Sequence, residues 1–278
     1  MKLRQIGMGI LLCLISIPCV QAQTYKKLWK QVEQAEEKSL PETVVKLTDV
    51  IYRKGEKEKN SPQMLKAYMW RMKYRDIIVP DSFYVGLQGL EQWAQQTDIP
   101  MDRAILHSLI AGIYADYVEK NQRQLRDRED IVGEVPTDMR EWTERMFIES
   151  VKLHTRKSME DSVLLLKTPS YGYTPFVELG ETSEYYHHNM YHLLAFRGMD
   201  ALSKIMRFSR EEEKIKLDIL RLYENMFSVY QREDDKEGYI LTYLSYLKRQ
   251  RPMNECGIDS LAINEKEGLA GLVQHPYL

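Results

Sequence analysis

The residues with the most chemical potential lie close together. Residues 184–192 read EYYHHNMYH, and Glu184, His188 and His192 step by four. On a helix that spacing puts all three on one face. Two imidazoles at i, i+4 with a carboxylate beside them are donors suited to Zn²⁺ or Cu²⁺. The competing reading is a solvated polar face opposite Tyr186, Met190 and Leu194. No second cluster supplies a fourth ligand, so the expectation is that Glu184, His188 and His192 are the only metal candidates and that no metal or other cofactor is held. No catalytic and no cofactor-binding residue is expected.

Other chemistry is sparse. The chain has no glycine-rich phosphate loop, no Gly-x-Ser-x-Gly elbow, no His-Glu-x-x-His pair, no EF-hand loop and no Cys-x-x-Cys. Tyr171 and Tyr173 sit in a proline- and glycine-rich stretch. They can stack on a sugar-like ligand or tuck against flanking helices, and tucking is the expected use. The mixed-sign run 119–130 reads as a solvated helix face.

Composition narrows the function further. The chain has 278 residues, 39 Lys and Arg against 41 Asp and Glu, and 44% apolar residues. That is the make-up of a folded protein. A net charge of −2 argues against a nucleic-acid partner, which calls for a clearly basic face.

Residues 1–22 (MKLRQIGMGILLCLISIPCVQA) read as a signal peptide. Lys2 and Arg4 precede an apolar run, Ile6 to Val20, that is too short for a membrane span. Val20-Gln21-Ala22 fits a cleavage site. The expectation is export to a periplasm or cell envelope with no transmembrane span left after cleavage. Lipid anchoring through Cys19 is disfavoured because Pro18 precedes it. Cleavage removes Cys13, Cys19 and two basic residues, so the net charge moves from −2 to −4 and Cys256 is the one thiol left. Without an internal disulfide the core must hold unaided, and Cys256 reads as a half-buried small apolar residue.

The positioning elements are helices. Tyr25, Leu28, Trp29 and Val32 form a stripe at i, i+3, i+4 and i+7. Pro41 opens the next helix, with Val44, Leu47 and Ile51 on its stripe. Ser61-Pro62 reads as a hydroxyl N-cap followed by proline, ahead of Leu65, Tyr68, Met69 and Met72. Pro80-Asp81 and Pro100 open two more helices. Thr137 or Asp138 is expected to cap a helix running to about Lys167. After the break at 168–183 a long helix over 183–207 is expected. Ser209 to Glu212 reads as a capping box before the stripe Ile215, Ile219, Leu222, Met226 and Val229. A last helix covers about 236–250.

This predicts an all-α fold of stacked antiparallel hairpins, an α-solenoid-like or TPR-like array, with no significant sheet. Hairpins starting near 24, 61 and 100 suggest the period, although the tetratricopeptide residue pattern itself is absent. The expected division is a signal peptide at 1–22, a hairpin array at 23–167, a linker at 168–183 and a helical region at 184–278 that is weakly patterned after 251.

Four segments carry a resemblance: 25–78, MREWTERMFIESVKLH (139–154), LLLKTPSYGYTPFVELG (164–180) and SEYYHHNMYHLLAFRGMDALSKI (183–205). Over about 24–207 the chain resembles the N-terminal helical segment of alpha-2-macroglobulin-like proteins of Bacteroides-type bacteria. Leu28-Trp29-Lys30 and Leu40-Pro41 between two helices carry most of the likeness. The resemblance implies a scaffold from an envelope protease-inhibitor protein. Its partner would be a protein, or further domains of a larger chain. The family's sandwich domains, bait region and Cys-x-Glu-Gln thioester are not visible, and Cys256-Gly257-Ile258-Asp259 lacks the Glu and Gln. The expectation is a non-catalytic, non-enzymatic interaction module. A free-standing helical-repeat binding protein and an envelope metal enzyme using Glu184, His188 and His192 are the alternatives.

Overall fold

A computed structural model describes residues 24–128, 135–178, 180, 183 and 186–250. Expectations for the signal peptide, Cys13, Cys19, Glu184 and Cys256 therefore fall outside the described residues. About 81% of the described chain is helical and no sheet is present in it. The all-α expectation holds. No described helix is long and apolar enough to cross a membrane.

Ten α-helices are described. They are α1 (24–37), α2 (Pro41–Glu58), α3 (Ser61–Ile78), α4 (Ser82–Gln96), α5 (Pro100–Arg126), α6 (Glu144–Ser158), α7 (Ser162–Lys167), α8 (Met190–Met206), α9 (Glu212–Arg232) and α10 (Lys236–Gln250). Proline stands in the first turn of α2, α3 and α5, where its missing N–H costs nothing and its fixed φ suits the helix.

The chain divides into two compact units. One comprises 24–89 with 173–178, the other 90–172 with the described residues from 180 onward, so the division falls within α4.

In the first unit α1 lies antiparallel to α2 and parallel to α3. Tyr25 at the start of α1 donates to Glu58 at the end of α2 (2.7 Å), and Trp29 Nε1 donates to Gln63 Oε1 early in α3 (2.7 Å). Further along, Trp70 Nε1 and Tyr74 Oη both donate to Glu36 Oε1 (3.0 and 2.5 Å). The apolar stripe of α1 is buried as its spacing predicts: Tyr25, Trp29, Val32 and Ala35 form one cluster with Val44, Ile51 and Ala67. Trp29 meets Trp70 edge-on at 6.1 Å, with the Lys66 ammonium 4.9 Å from its ring centre.

In the second unit α5 and α6 run antiparallel. Tyr117 stacks on Phe147, and His107 meets His154 two turns further on. Helix α8 runs parallel to α5, through Arg197 to Ser108 and Lys204 to Asp116. Helix α9 runs antiparallel to α8 and parallel to α6, through Lys152 to Asp218. Helix α10 folds back on α9, with Tyr223 against Tyr246 and Phe227 against Tyr239. Close approach of α6 and α8 needs Gly198, since a Cβ there would lie 2.6 Å from Thr155 Cγ2.

Four expectations about helix ends change. The cap of α3 is Asn60, whose Oδ1 accepts from Gln63 N (3.3 Å), rather than Ser61. The helix expected from 137 or 138 to 167 is three pieces. Asp138 caps only a 3₁₀ turn, Met139–Glu141, and Asp161 Oδ1 captures Leu164 N (3.0 Å) to start α7 afresh. The helix expected over 183–207 begins at Met190. The capping box is absent: Ser209 Oγ accepts from Glu211 N (2.9 Å), α9 begins at Glu212, and Glu144 from α6 takes the Arg210 N–H. At α3 and α7 a short polar side chain, Asn60 or Asp161, accepts the N–H three residues on, which is enough to place a helix end.

Candidate functional site

The start of α8 decides the fate of the sequence-predicted metal face. Asn189 is extended (φ −110, ψ 159) and its Oδ1 accepts from His192 N at 2.7 Å, an N-cap. The residues just before it pair with the 168–170 segment instead of coiling. Ser170 N donates to His188 O (3.0 Å), Met190 N donates to Thr168 O (2.9 Å), and Pro169 and Asn189 form an isolated antiparallel bridge. His188 thus lies outside the helix and is exposed, while His192 is fully buried in the first turn of α8. His188 and His192 therefore share no helix face, because no helix runs through 186–189; Glu184 lies outside the described residues. The solvated-face reading of His192 fails as well. Among the described residues no group of three His, Cys, Asp or Glu converges as metal ligands do.

What the segment builds is a polar strap around His187, the neighbour that the spacing argument passed over. His187 Nε2 donates to Asp235 Oδ2 (2.8 Å), and Asn189 Nδ2 donates to His187 Nδ1 (3.0 Å). Asp235 Oδ1 meanwhile accepts from Gly238 N (2.9 Å) and caps α10. The His187 ring stacks on Tyr230 at 5.8 Å. A histidine held by a carboxylate has the look of a general base. Here both ring nitrogens are spent on neighbours, so no lone pair is left to take a substrate proton. The strap ties the 187–189 segment to the α9–α10 turn.

His192 is the deepest member. Its Nδ1 lies 2.9 Å from Tyr230 Oη, its ring stacks on Phe196 at 4.5 Å, and its Nε2 is buried with no partner among the described residues. Burial, then the neighbouring His187, lowers its pKa to about 3, so the ring is neutral. Burial also raises the Tyr230 pKa.

A second buried histidine pair was not legible in the sequence, where its members stand 47 residues apart. His107 on α5 and His154 on α6 meet Nδ1 to Nδ1 at 3.0 Å, with Tyr114 edge-on to His154 at 5.9 Å. Such a contact needs one Nδ1–H donor and one bare Nδ1 acceptor, so at least the accepting ring is neutral. Burial is the main cause that lowers His107 to about 4 and His154 to about 3. Lys157 acts on both, Arg103 on His107, and His107 on His154. Tyr114 Oη donates to Glu91, and burial followed by that carboxylate raises its pKa. These groups make a polar seam inside an aromatic core.

Of the two tyrosines expected as loop anchors, Tyr171 is 61% exposed and does not tuck against a helix. Tyr173 is half-buried.

One groove in the second unit combines apolar and charged walls. It lies between the end of α6, α8 and α9, measures about 560 Å³, and is lined by Met159, Leu202 and Leu222 together with Lys152, Arg156 and Lys157. No family, no curated relative and no solved structure matches this chain.

Proposed function

We propose that this chain is an exported, non-catalytic helical scaffold that works by binding, as the N-terminal part of an alpha-2-macroglobulin-like envelope protein would. The observation that carries the reading is the state of the imidazoles. His187 has both nitrogens engaged, and His107, His154 and His192 pair with neighbours inside the core. Their chemistry is spent on holding helices together, which suits a scaffold. The sequence adds the basic-then-apolar start at 1–22 and the four segments of resemblance. Helices joined by short links present extended surfaces fit for a protein partner.

Trapping a protease takes a cleavable bait that triggers a large rearrangement, and a thioester where the protease is held covalently. A helical chain with one cysteine after signal cleavage has neither device in evidence. The test is to incubate the purified chain with serine and metalloproteases and follow cleavage of a large protein substrate. No inhibition and no covalent adduct are expected. Stoichiometric inhibition would overturn the scaffold reading and assign the inhibitory work to the helices.

A further inference from the structure

We propose that the groove between α6, α8 and α9 seats an extended peptide segment of a protein partner, one that carries a carboxylate side chain beside a leucine-like side chain. The inference rests on the binding reading above and names the partner's chemistry.

The groove offers two kinds of wall. Met159, Leu202 and Leu222 make an apolar surface, and the volume of about 560 Å³ has room for a few side chains but not for a helix. Four cations border it, and two of them are already used. Lys152 pairs with Asp218 Oδ2 at 3.0 Å, and Arg221 pairs with Asp218 Oδ1 at 3.1 Å. Both cations are therefore committed to Asp218, the one acid in the groove's α9 wall. Arg156 and Lys157 are exposed and have no carboxylate within ion-pair reach among the described residues. Glu160, also exposed, is the other acid at the border, so the uncommitted charge is positive. Thr155, on the same wall, carries a buried hydroxyl without a partner among the described residues. An unpaired buried hydroxyl is costly, and a seated main-chain group is one way to pair it. Arg156 brings the planar fork that suits a carboxylate.

An apolar floor beside uncommitted cations selects a ligand with the complementary pair: an aliphatic side chain for the floor and a carboxylate for the rim. Aliphatic burial supplies affinity and charge supplies orientation.

The probes are fluorescein-labelled Gly/Ser octapeptides with one Glu and one Leu set one, two or three positions apart, titrated with the full chain by fluorescence anisotropy. At least one is expected to bind saturably with a Kd on the order of 100 μM, and its Glu→Gln and Leu→Ser counterparts ~10-fold more weakly. Binding weakens as salt rises. Arg156→Glu with Lys157→Glu, both exposed, should abolish binding and leave the far-UV circular dichroism spectrum unchanged. Benzoylphenylalanine at Met159 should crosslink the labelled peptide. The proposal is overturned if no peptide saturates, if Glu and Gln peptides bind alike, or if charge reversal leaves binding intact. It is equally overturned if the crosslink captures residues 251–278 of the same chain or a second copy, since the groove then has another occupant. The protease assay does not depend on these peptides, so failure of the groove and failure of the scaffold reading are told apart.

Discussion

Acid should loosen the second unit well before ordinary carboxylates protonate. His107, His154 and His192 are held neutral, with pKa values lowered from 6.5 to about 4, about 3 and about 3. His107 is 6% exposed and His192 is fully buried. In the unfolded chain each of the three titrates near the usual histidine value. Below that value the unfolded state binds protons the folded state refuses, and stability follows the difference. The stabilisation is complete above about pH 6.5 and is lost as pH falls toward 4. Each unit of pH costs about 1.4 kcal/mol per histidine. At pH 5 that is about 2 kcal/mol each, or about 6 kcal/mol for three, comparable with the whole stability of an ordinary domain. In a unit of this size it lowers Tm by ~12–24 °C. Thermal melts followed by circular dichroism at pH 7, 6 and 5 read this directly. His107→Asn keeps a neutral polar atom facing His154 and removes one titrating site, so the dependence on pH should shrink by about a third. A Tm that changes by less than ~3 °C between pH 7 and pH 5 would refute the reasoning. It would mean that the rings accept protons in place, with water or a carboxylate reaching them.

Three further outcomes are expected. Trp29→Ala should destabilise the first unit by about 3–5 kcal/mol, since the indole fills the α1–α2–α3 cluster and donates to Gln63; a denaturant titration that finds no loss would show the cluster to be unimportant. Gly238→Ala should destabilise by about 1–3 kcal/mol despite alanine's higher helix propensity, because the new Cβ would stand 2.5 Å from the buried Tyr230 ring; a gain in Tm would contradict it. Zinc at one equivalent should be lost on dialysis, and His188→Ala should not alter the result, because His188 and His192 do not share a helix face; one zinc per chain retained by wild type and lost in the variant would restore the metal site.

The candidate site was legible only in part. The sequence pointed to the correct neighbourhood, 184–192, and to the wrong partners within it. Spacing by four carries information only if the helix is continuous, and Asn189 ends that continuity from inside the motif. Asn189 is a strong N-cap type and stands where a start signal would be read. The periodic run of histidines masked it. No local signal could have joined His187 to Asp235 or His107 to His154, because those contacts are made by chain folding between separate helices.

The helices themselves were fixed locally. Pro41, Pro62 and Pro100 mark helix starts through missing donors and a fixed φ, and the stripe Tyr25, Trp29 and Val32 chooses the buried face of α1 through 3.6-residue periodicity. Both are properties of a few neighbouring residues, so a sequence displays them. The tertiary structure decided which polar groups went inside, and it reinforced the local cap at the start of α8. Helix α8 starts at Met190, and the 168–170 segment lies alongside to take the hydrogen bonds of His188 and Met190. His192 is buried because Tyr230, 38 residues away, offers its hydroxyl. A polar group goes into a core when a partner from elsewhere in the chain offsets its lost water, and that partner is supplied only when the chain folds.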